Sequence, residues 1–165
     1  MKNFYLFACL VCCNFMIGQA ILLPSETIRT AFEQQFPRKK QIWTMEYGKN
    51  ENDIRFVAKF IAAAKTQAYA VYESDGTFKS YKEQIPSAKL PQNAQVYLDA
   101  NYPIKANAKP KSKSKAVPAA TVREAYSVVD AKNRTTYEVR AVKDGKNYNL
   151  IFDQEGNLIK TIQIA

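Results

Sequence analysis

Two segments of the chain carry apolar residues at four-residue intervals. They are Ile28, Phe32 and Phe36 in the first and Ala94, Leu98 and Tyr102 in the second. This spacing places each set on one face of a helix. A Leu-Pro pair opens each segment, at 23–24 and 90–91, and an aromatic-Pro pair closes it, at 36–37 and 102–103. Proline is tolerated in a first helical turn and ends a helix that it follows. The pattern predicts two short amphipathic helices.

Most of the remaining apolar residues alternate with polar ones, which is typical of strands with one buried face. The alternation predicts eight strands, at about 42–47, 54–62, 68–72, 78–85, 122–129, 135–142, 148–153 and 158–164. An acidic residue precedes glycine at 75–76, 144–145 and 155–156, where a hairpin turn needs a positive φ. Short connections favour an antiparallel meander, which leaves one sheet face open to water or to a partner.

The two halves share this order of elements, and residues 71–78 match residues 151–158 position by position in character. We therefore predict an α+β fold built as a tandem repeat of one helix plus a four-stranded antiparallel meander, with the helices packed on one face of the sheet. The repeats would span residues 21–87 and 88–165 and form one compact domain. The alternative is two unrelated segments that share only their turn chemistry.

Uninterrupted alternation assigns each strand residue to a face. The helix-facing set would be Trp43, Phe56, Phe60, Tyr72, Phe78, Tyr126, Tyr137, Val139, Tyr148, Leu150 and Phe152. The opposite face would then present Arg55, Lys59, Tyr69, Lys79, Tyr81, Glu138 and Arg140. Tyrosine and arginine are enriched at the energetic centres of protein interfaces. We predict a partner-binding surface formed by Arg55, Lys59, Tyr69, Lys79, Tyr81 and Arg140. The alternative is the ordinary polar side of a half-exposed sheet, and a one-residue register error would exchange the faces.

Residues 1–20 have the composition of a secretory signal peptide. Lys2 precedes an apolar run from Phe4 to Ile17, and Gly18-Gln19-Ala20 supplies a small-x-small exit. The run is shorter than the roughly 20 residues of a membrane span. We predict a periplasmic or secreted protein cleaved near Ala20. All three cysteines lie in this segment, so the exported chain would have neither disulfide nor thiol chemistry. A lipoprotein would need a cysteine placed after the apolar run with small residues before it.

The full chain has a formal net charge of +9, which favours anionic partners such as an acidic protein face or lipid headgroups. Export makes nucleic acid the least favoured of these. Residues 104–118 form a predicted loop rich in Lys, Ala, Pro and Ser, with almost no apolar residue to offset the entropy of ordering. The loop fits either a solvated linker or an anion or membrane-surface contact through its lysines, Lys105, Lys109, Lys111, Lys113 and Lys115.

Catalytic chemistry is restricted by composition. The chain contains no histidine, and its part beyond residue 20 contains no cysteine. This excludes Ser-His and Cys-His nucleophile pairs, HExxH metal sites and nearly all zinc chemistry. Asp153 and Glu155 lie close together, but their match to Glu73 and Asp75 indicates turn residues, and no further ligands of a calcium loop follow. We predict no enzymatic activity, no metal site and no cofactor.

The first half of the chain has the order Leu-Pro, helix, Phe-Pro, strand with Trp43, three further strands and an acidic-Gly turn. The second half has Leu-Pro, helix, Tyr-Pro and a second strand set. This order resembles exported PepSY-like proteins of Bacteroidetes, which are described as similar to beta-lactamase inhibitor proteins. The resemblance covers nearly all of the chain after the leader. It implies a tandem α+β repeat, in the periplasm or outside the cell, that binds another protein through its sheet surface, with inhibition of that protein as one expected outcome and no established enzymatic activity. The lysine-rich insertion departs from this pattern.

Three functions remain open at this point. The first is an exported binding or inhibitor module acting through the open sheet face, with a protein partner of unknown identity. The second is an envelope-associated anion or membrane-surface binder acting through the lysine-rich loop. The third is a hydrolase that works without histidine, which would require a closed pocket with converging carboxylates. The sequence makes no prediction of oligomeric state.

Overall fold

The structure is a computed structural model that describes residues 23–48, 53–63, 65–102 and 120–164. It contains two α-helices, α1 (Glu26–Gln35) and α2 (Gln92–Asn101), and a 3₁₀ turn at Ser87–Lys89. The strands are β1 (Gln41–Tyr47), β2 (Ile54–Ile61), β3 (Gln67–Glu73), β4 (Phe78–Ile85), β5 (Ala120–Asp130), β6 (Thr135–Lys143), β7 (Lys146–Phe152) and β8 (Leu158–Ile164).

All eight strands belong to one antiparallel sheet in the order β1 to β8. Strand β4 pairs with β5 over six residue pairs, from Ser80–Asp130 to Ile85–Ala125, so the hydrogen-bonded ladder runs through the middle of the molecule. The predicted tandem repeat of a helix plus a four-stranded meander is therefore wrong, because the chain forms a single continuous eight-stranded sheet with two helices on it. The broader α+β class holds.

Both helices pack on the same face of the sheet, which we call the helix face. Under α1, Ile28 and Phe32 contact a cluster from β2 and β3 that includes Phe60 and Tyr72. Under α2, the buried residues come from the helix, β5, β6 and β7. Burying side chains of this size stabilises a fold by about 1.5–3 kcal/mol each. The helices therefore hold the sheet from one side and leave its other side uncovered by helices in the described part of the chain.

The helix ends follow from their sequences. Ser25 caps α1 by accepting a hydrogen bond from the Ile28 N–H at 3.4 Å.

The β7–β8 turn packs against the first turn of α2, since a Cβ on Gly156 would lie 2.8 Å from the Ala94 nitrogen. Gly156 also has a φ of +88°, as the predicted hairpin turn requires. Glycine is therefore required at position 156 for two reasons: the backbone is left-handed there, and it lies too close to α2 for a side chain.

Three β-bulges interrupt the alternation of side chains in the described strands, and two of them affect the strands that line the open side of the sheet. One lies in β4, where Val71 pairs with Ser80 and the next residue, Tyr72, pairs with Phe78. The other lies in β5, between Val122 and Glu124. A bulge adds one residue to one strand, so every later side chain of that strand moves to the opposite face. These bulges decide which residues reach the open face.

The predicted leader (1–20) and the predicted lysine-rich loop (104–118) lie outside the described residues. Within the ranges that the structure describes, neither helix has the length and apolar character needed to cross a bilayer.

Candidate functional site

The face opposite the helices, the open face, contains a groove of about 410 Å³. Its floor is apolar and is contributed by Val57 of β2, Val71 of β3 and Val128 of β5. Charged side chains, with Tyr69 and Ser80, line the rest of the groove; the charged ones are Arg55, Lys79, Lys82, Arg140, Glu46 and Glu138. The groove therefore offers apolar contact area inside a polar rim, the arrangement found at protein interfaces.

Tyr126 lies at the centre of the open face, and only 1% of its surface is exposed. The Tyr69 ring meets it edge to face at a centroid distance of 6.3 Å. The Lys82 ammonium lies 4.5 Å and the Arg140 guanidinium carbon 5.6 Å from the Tyr126 ring centroid. Cations in these positions are attracted by the ring quadrupole. Tyr126 thus joins β3, β4 and β6 on the face opposite α1 and α2.

The polar end of Tyr126 is also satisfied. Its hydroxyl donates to Glu124 Oε2 at 2.8 Å, and Arg140 donates to the same oxygen at 3.1 Å. Burial, followed by the hydrogen bond and the charge of Glu124, raises the pKa of Tyr126 above its ordinary value. The phenol is therefore neutral at physiological pH, and it connects β5 to the neighbouring strands through its ring and its hydroxyl.

Ion pairs connect the charges around the groove. Lys82 pairs with Glu138, Lys79 with Glu73 at 2.7 Å, and Arg55 with Asp53 at 2.6 Å. The side chains of Arg140 and Glu124 are 51% and 36% exposed, so this pair remains in contact with water. Such exposed pairs contribute little to stability and can exchange partners. Arg140 and Lys79, whose side chains are 51% and 41% exposed, are therefore available to an incoming carboxylate.

The structure places five of the six predicted partner-binding residues on the open face. Arg55, Tyr69, Lys79 and Arg140 line the groove. Lys59, which is exposed, lies beside it, paired with Tyr69 across β2 and β3. The partner-binding role of this set stays a prediction.

Tyr81 is the exception, and its predicted position is wrong. It pairs with Ala70, which is buried under α1, and its ring stacks on Phe36 at a centroid distance of 5.5 Å. Its hydroxyl donates to Glu83 Oε2 at 2.7 Å. The reason is the β4 bulge at Lys79, which reverses the alternation that Phe78 begins.

The predicted position of Tyr126 is also wrong, in the opposite sense: alternation assigned it to the helix face, and it lies on the open face. The β5 bulge at Arg123 moves Glu124 and Tyr126 to the open face, while Ala125 takes the buried place under α2. Sequence reasoning also omitted Lys82 from the open face for the same reason as Tyr81. The sequence contained a signal of the β4 bulge. Without a bulge, alternation over 78–83 would place Tyr81 on the open face with the lysine at 79 and would bury Lys82 on the helix face, which is unfavourable for a charged side chain.

Neither a metal nor a catalytic constellation is visible in the described ranges. They contain no group of three or more carboxylate, cysteine or histidine side chains that could hold an ion. The lysines of the predicted anion-contact loop, from Lys105 to Lys115, lie outside the described residues, so their role stays a prediction. What the open face can do chemically is to bind, through apolar contact, aromatic rings and hydrogen bonds from basic side chains.

Comparison with solved structures identifies proteins of the same fold. The chain is similar to a predicted periplasmic protein from Bacteroides eggerthii, with 12% identity, coverage of 86% of this chain and 90% of that one, and a TM-score of 0.64. A DUF2874 family protein from Bacteroides uniformis covers the same shares, with 12% identity and a TM-score of 0.63. A BLIP-like protein from Bacteroides fragilis covers 86% and 87%, with 14% identity and a TM-score of 0.56.

Other comparisons gave no match. No protein-family model matches the sequence, and no curated protein is similar to it. At identities of 12–14%, the structural neighbours establish the fold and leave the function to be argued from this chain's own surface.

Proposed function

We propose that this chain is an exported, non-enzymatic binding module that contacts another protein through its open face. The observation that carries the proposal is the groove itself, an apolar floor of three valines with Tyr69 and four basic side chains around it. Tyr and Arg around an apolar centre are the residues that dominate interface energetics. The partner would insert an apolar side chain against the floor and direct a carboxylate to the basic rim.

Two further observations support this proposal. One structural neighbour carries the description BLIP-like, and another is a predicted periplasmic protein. Residues 1–20 have the pattern of a secretory leader. We extend the proposal to a periplasmic or secreted location and to kinship with the PepSY-like proteins that the order of motifs resembles. Inhibition of the partner, or its recruitment as an adaptor, would follow from occupying its surface.

The test is affinity capture of partners from the envelope fraction with the chain from Ile21 as bait. Arg55→Ala combined with Tyr69→Ala should abolish capture of a specific protein, because it removes one basic rim group and the half-buried aromatic ring that lines the groove. The matched control is Arg29→Ala with Tyr47→Ala, the same residue types at exposed positions outside the groove. Equal capture by both double variants would refute a role for the open face.

A second outcome is also informative. If capture depends on anionic vesicles and is lost on deleting 105–115 while the Arg55/Tyr69 variant behaves as wild type, the binding surface is the lysine-rich loop and the proposal fails.

A further inference from the structure

Strand β8 forms one edge of the sheet. It pairs with β7 alone within the described sheet, and all seven of its residues are exposed. Four of them are large apolar side chains: Leu158 is 37% exposed, Ile159 59%, Ile162 37% and Ile164 41%. An edge strand with free N–H and C=O groups and exposed apolar side chains is a template for pairing with another strand.

Strand β8 contributes nothing to the buried core. The cluster under α2 takes its buried residues from that helix, its preceding turn and β5, β6 and β7. The opposite edge differs, because Trp43 of β1 packs on Phe32 at a centroid distance of 5.6 Å. Strand β8 has no proline, and of the devices that block edge pairing it carries one charge, Lys160, and one bulge, at Ile159.

The geometry of β8 favours one pairing partner, a second copy of β8. A bulge falls between the Ile151 and Phe152 pairings and makes Ile159 the extra residue, so the regular part of the strand is 160–164. Within it, Lys160, Ile162 and Ile164 share the open face, and Thr161 and Gln163 the helix face. When two copies of β8 pair antiparallel about a two-fold axis normal to the sheet, the open faces of the two sheets join only if residues of the same face lie opposite each other. Placing the axis at Ile162 lets all five residues of the regular part, 160–164, take part in the pairing.

This register also avoids repulsion. Ile162 meets its own copy on the axis, Lys160 meets Ile164 of the second copy, and Thr161 meets Gln163. No two lysines face each other, and Thr161 and Gln163 can hydrogen-bond. Like charges directly opposite would destabilise the pair.

We propose that two copies of this chain associate through β8 as a two-fold dimer centred on Ile162, which joins their sheets and doubles the open face. The contact area is small, so the dimer is a weak one. It requires nothing of the open-face groove, and the two can be tested separately.

Disulfide trapping tests the register directly. The chain from Ile21 has no cysteine, so Ile162→Cys carries a single thiol. Directly opposite residues of antiparallel strands have Cα atoms about 4.5–5.5 Å apart, within reach of a disulfide. Air oxidation should convert this variant to a covalent dimer, whereas Ile159→Cys and Ile42→Cys, both more exposed, should remain largely monomeric. Efficient mixed dimers of Ile42→Cys with Ile162→Cys would show that β8 pairs with β1 and would overturn the proposal.

Sedimentation equilibrium tests the free protein at concentrations up to about 1 mM, the range of a weak association. We expect a reversible dimer in the wild type. Ile162→Lys should lower the association constant at least about tenfold by placing two charges on the axis. Ile159→Lys, which lies outside the register, should leave it unchanged, and circular dichroism confirms that both fold. A monomeric wild type at all concentrations, or a dimer that survives Ile162→Lys, would refute the inference.

Discussion

Phe32 and Tyr126 are buried aromatic residues on opposite faces of the sheet, and their surroundings differ. Phe32 has no exposed surface and contacts four other rings, of Phe36, Trp43, Phe60 and Tyr72, at centroid distances from 5.2 to 6.5 Å. Tyr126 is nearly as enclosed, but two cations, one ring and one carboxylate surround it.

The comparison separates stability from recognition. On the helix face, rings pack against rings, so removing one leaves a cavity that no water can fill favourably. On the open face, the groups around Tyr126 keep part of their contact with water and can be rehydrated when it is removed. The helix face therefore holds the fold together, and side chains of the open face can rearrange at lower cost in stability.

Truncation of Phe32 should have the largest effect. We expect Phe32→Ala to lower the free energy of unfolding by about 3–5 kcal/mol, with little dependence on salt, because the loss is one of apolar packing. Urea denaturation at low and high salt measures it. Phe32→Leu, which keeps most of the apolar volume, should lose much less. A loss from Phe32→Ala below about 1 kcal/mol would contradict the central role of this ring.

Truncation of Tyr126 should cost less. We expect a loss of about 2 kcal/mol for Tyr126→Ala, below the range for a fully apolar site, because Lys82, Arg140 and Glu124 regain water. Part of this loss should disappear at high salt, unlike that of Phe32→Ala. Tyr126→Phe is the control that keeps the ring and removes only the hydrogen bond to Glu124, at about 1 kcal/mol. Equal losses at the two sites, with equal salt response, would remove the distinction between the faces.

A third effect is confined to alkaline pH and is absent near neutrality. Burial raises the pKa of Tyr72, on the helix face, to about 12. In the unfolded chain tyrosine ionises near pH 10, so the native state holds this proton longer. A raised native pKa gives stability that is complete below pH 10 and is lost as pH rises to about 12.

Between pH 10 and 12 the free energy of unfolding of the wild type should fall with pH in part because of Tyr72. Tyr72→Phe should therefore make this fall less steep, by up to about 1.4 kcal/mol per pH unit. Urea denaturation from pH 9 upward, taken as the difference between wild type and variant, isolates this group from the lysines. Tyr47→Phe, at an exposed ring, is the control. An unchanged slope in Tyr72→Phe would show that Tyr72 is not protected from solvent.

Local sequence patterns predicted the elements well. Four-residue spacing located both helices, and alternation located the eight strands to within a few residues. The turns at Gly76, Gly145 and Gly156 have the positive φ that their sequences predicted. These features depend on interactions between near neighbours, which is why a sequence alone is informative about them.

The predicted site was less accurate than the elements. Five of the predicted residues reach the open face. For four of them, Arg55, Lys59, Tyr69 and Arg140, no bulge precedes the residue in its strand. The fifth, Lys79, is itself the bulged residue of β4. Tyr81 and Tyr126 were assigned to the wrong faces because each follows a bulge. Alternation carries no information about an extra residue, which depends on the twist and pairing of the neighbouring strand.

The sequence by itself determined the two helices, the eight strands, the tight turns and the absence of histidine and of cysteine beyond residue 20. Only the tertiary structure decided that β4 pairs with β5, so that the halves share one sheet, and that Tyr126, with Lys82, occupies the open face. The physical reason is that strand pairing and bulges depend on hydrogen bonds between residues far apart in the chain. Periodicity reports only which side chains alternate, and not which backbone lies beside them.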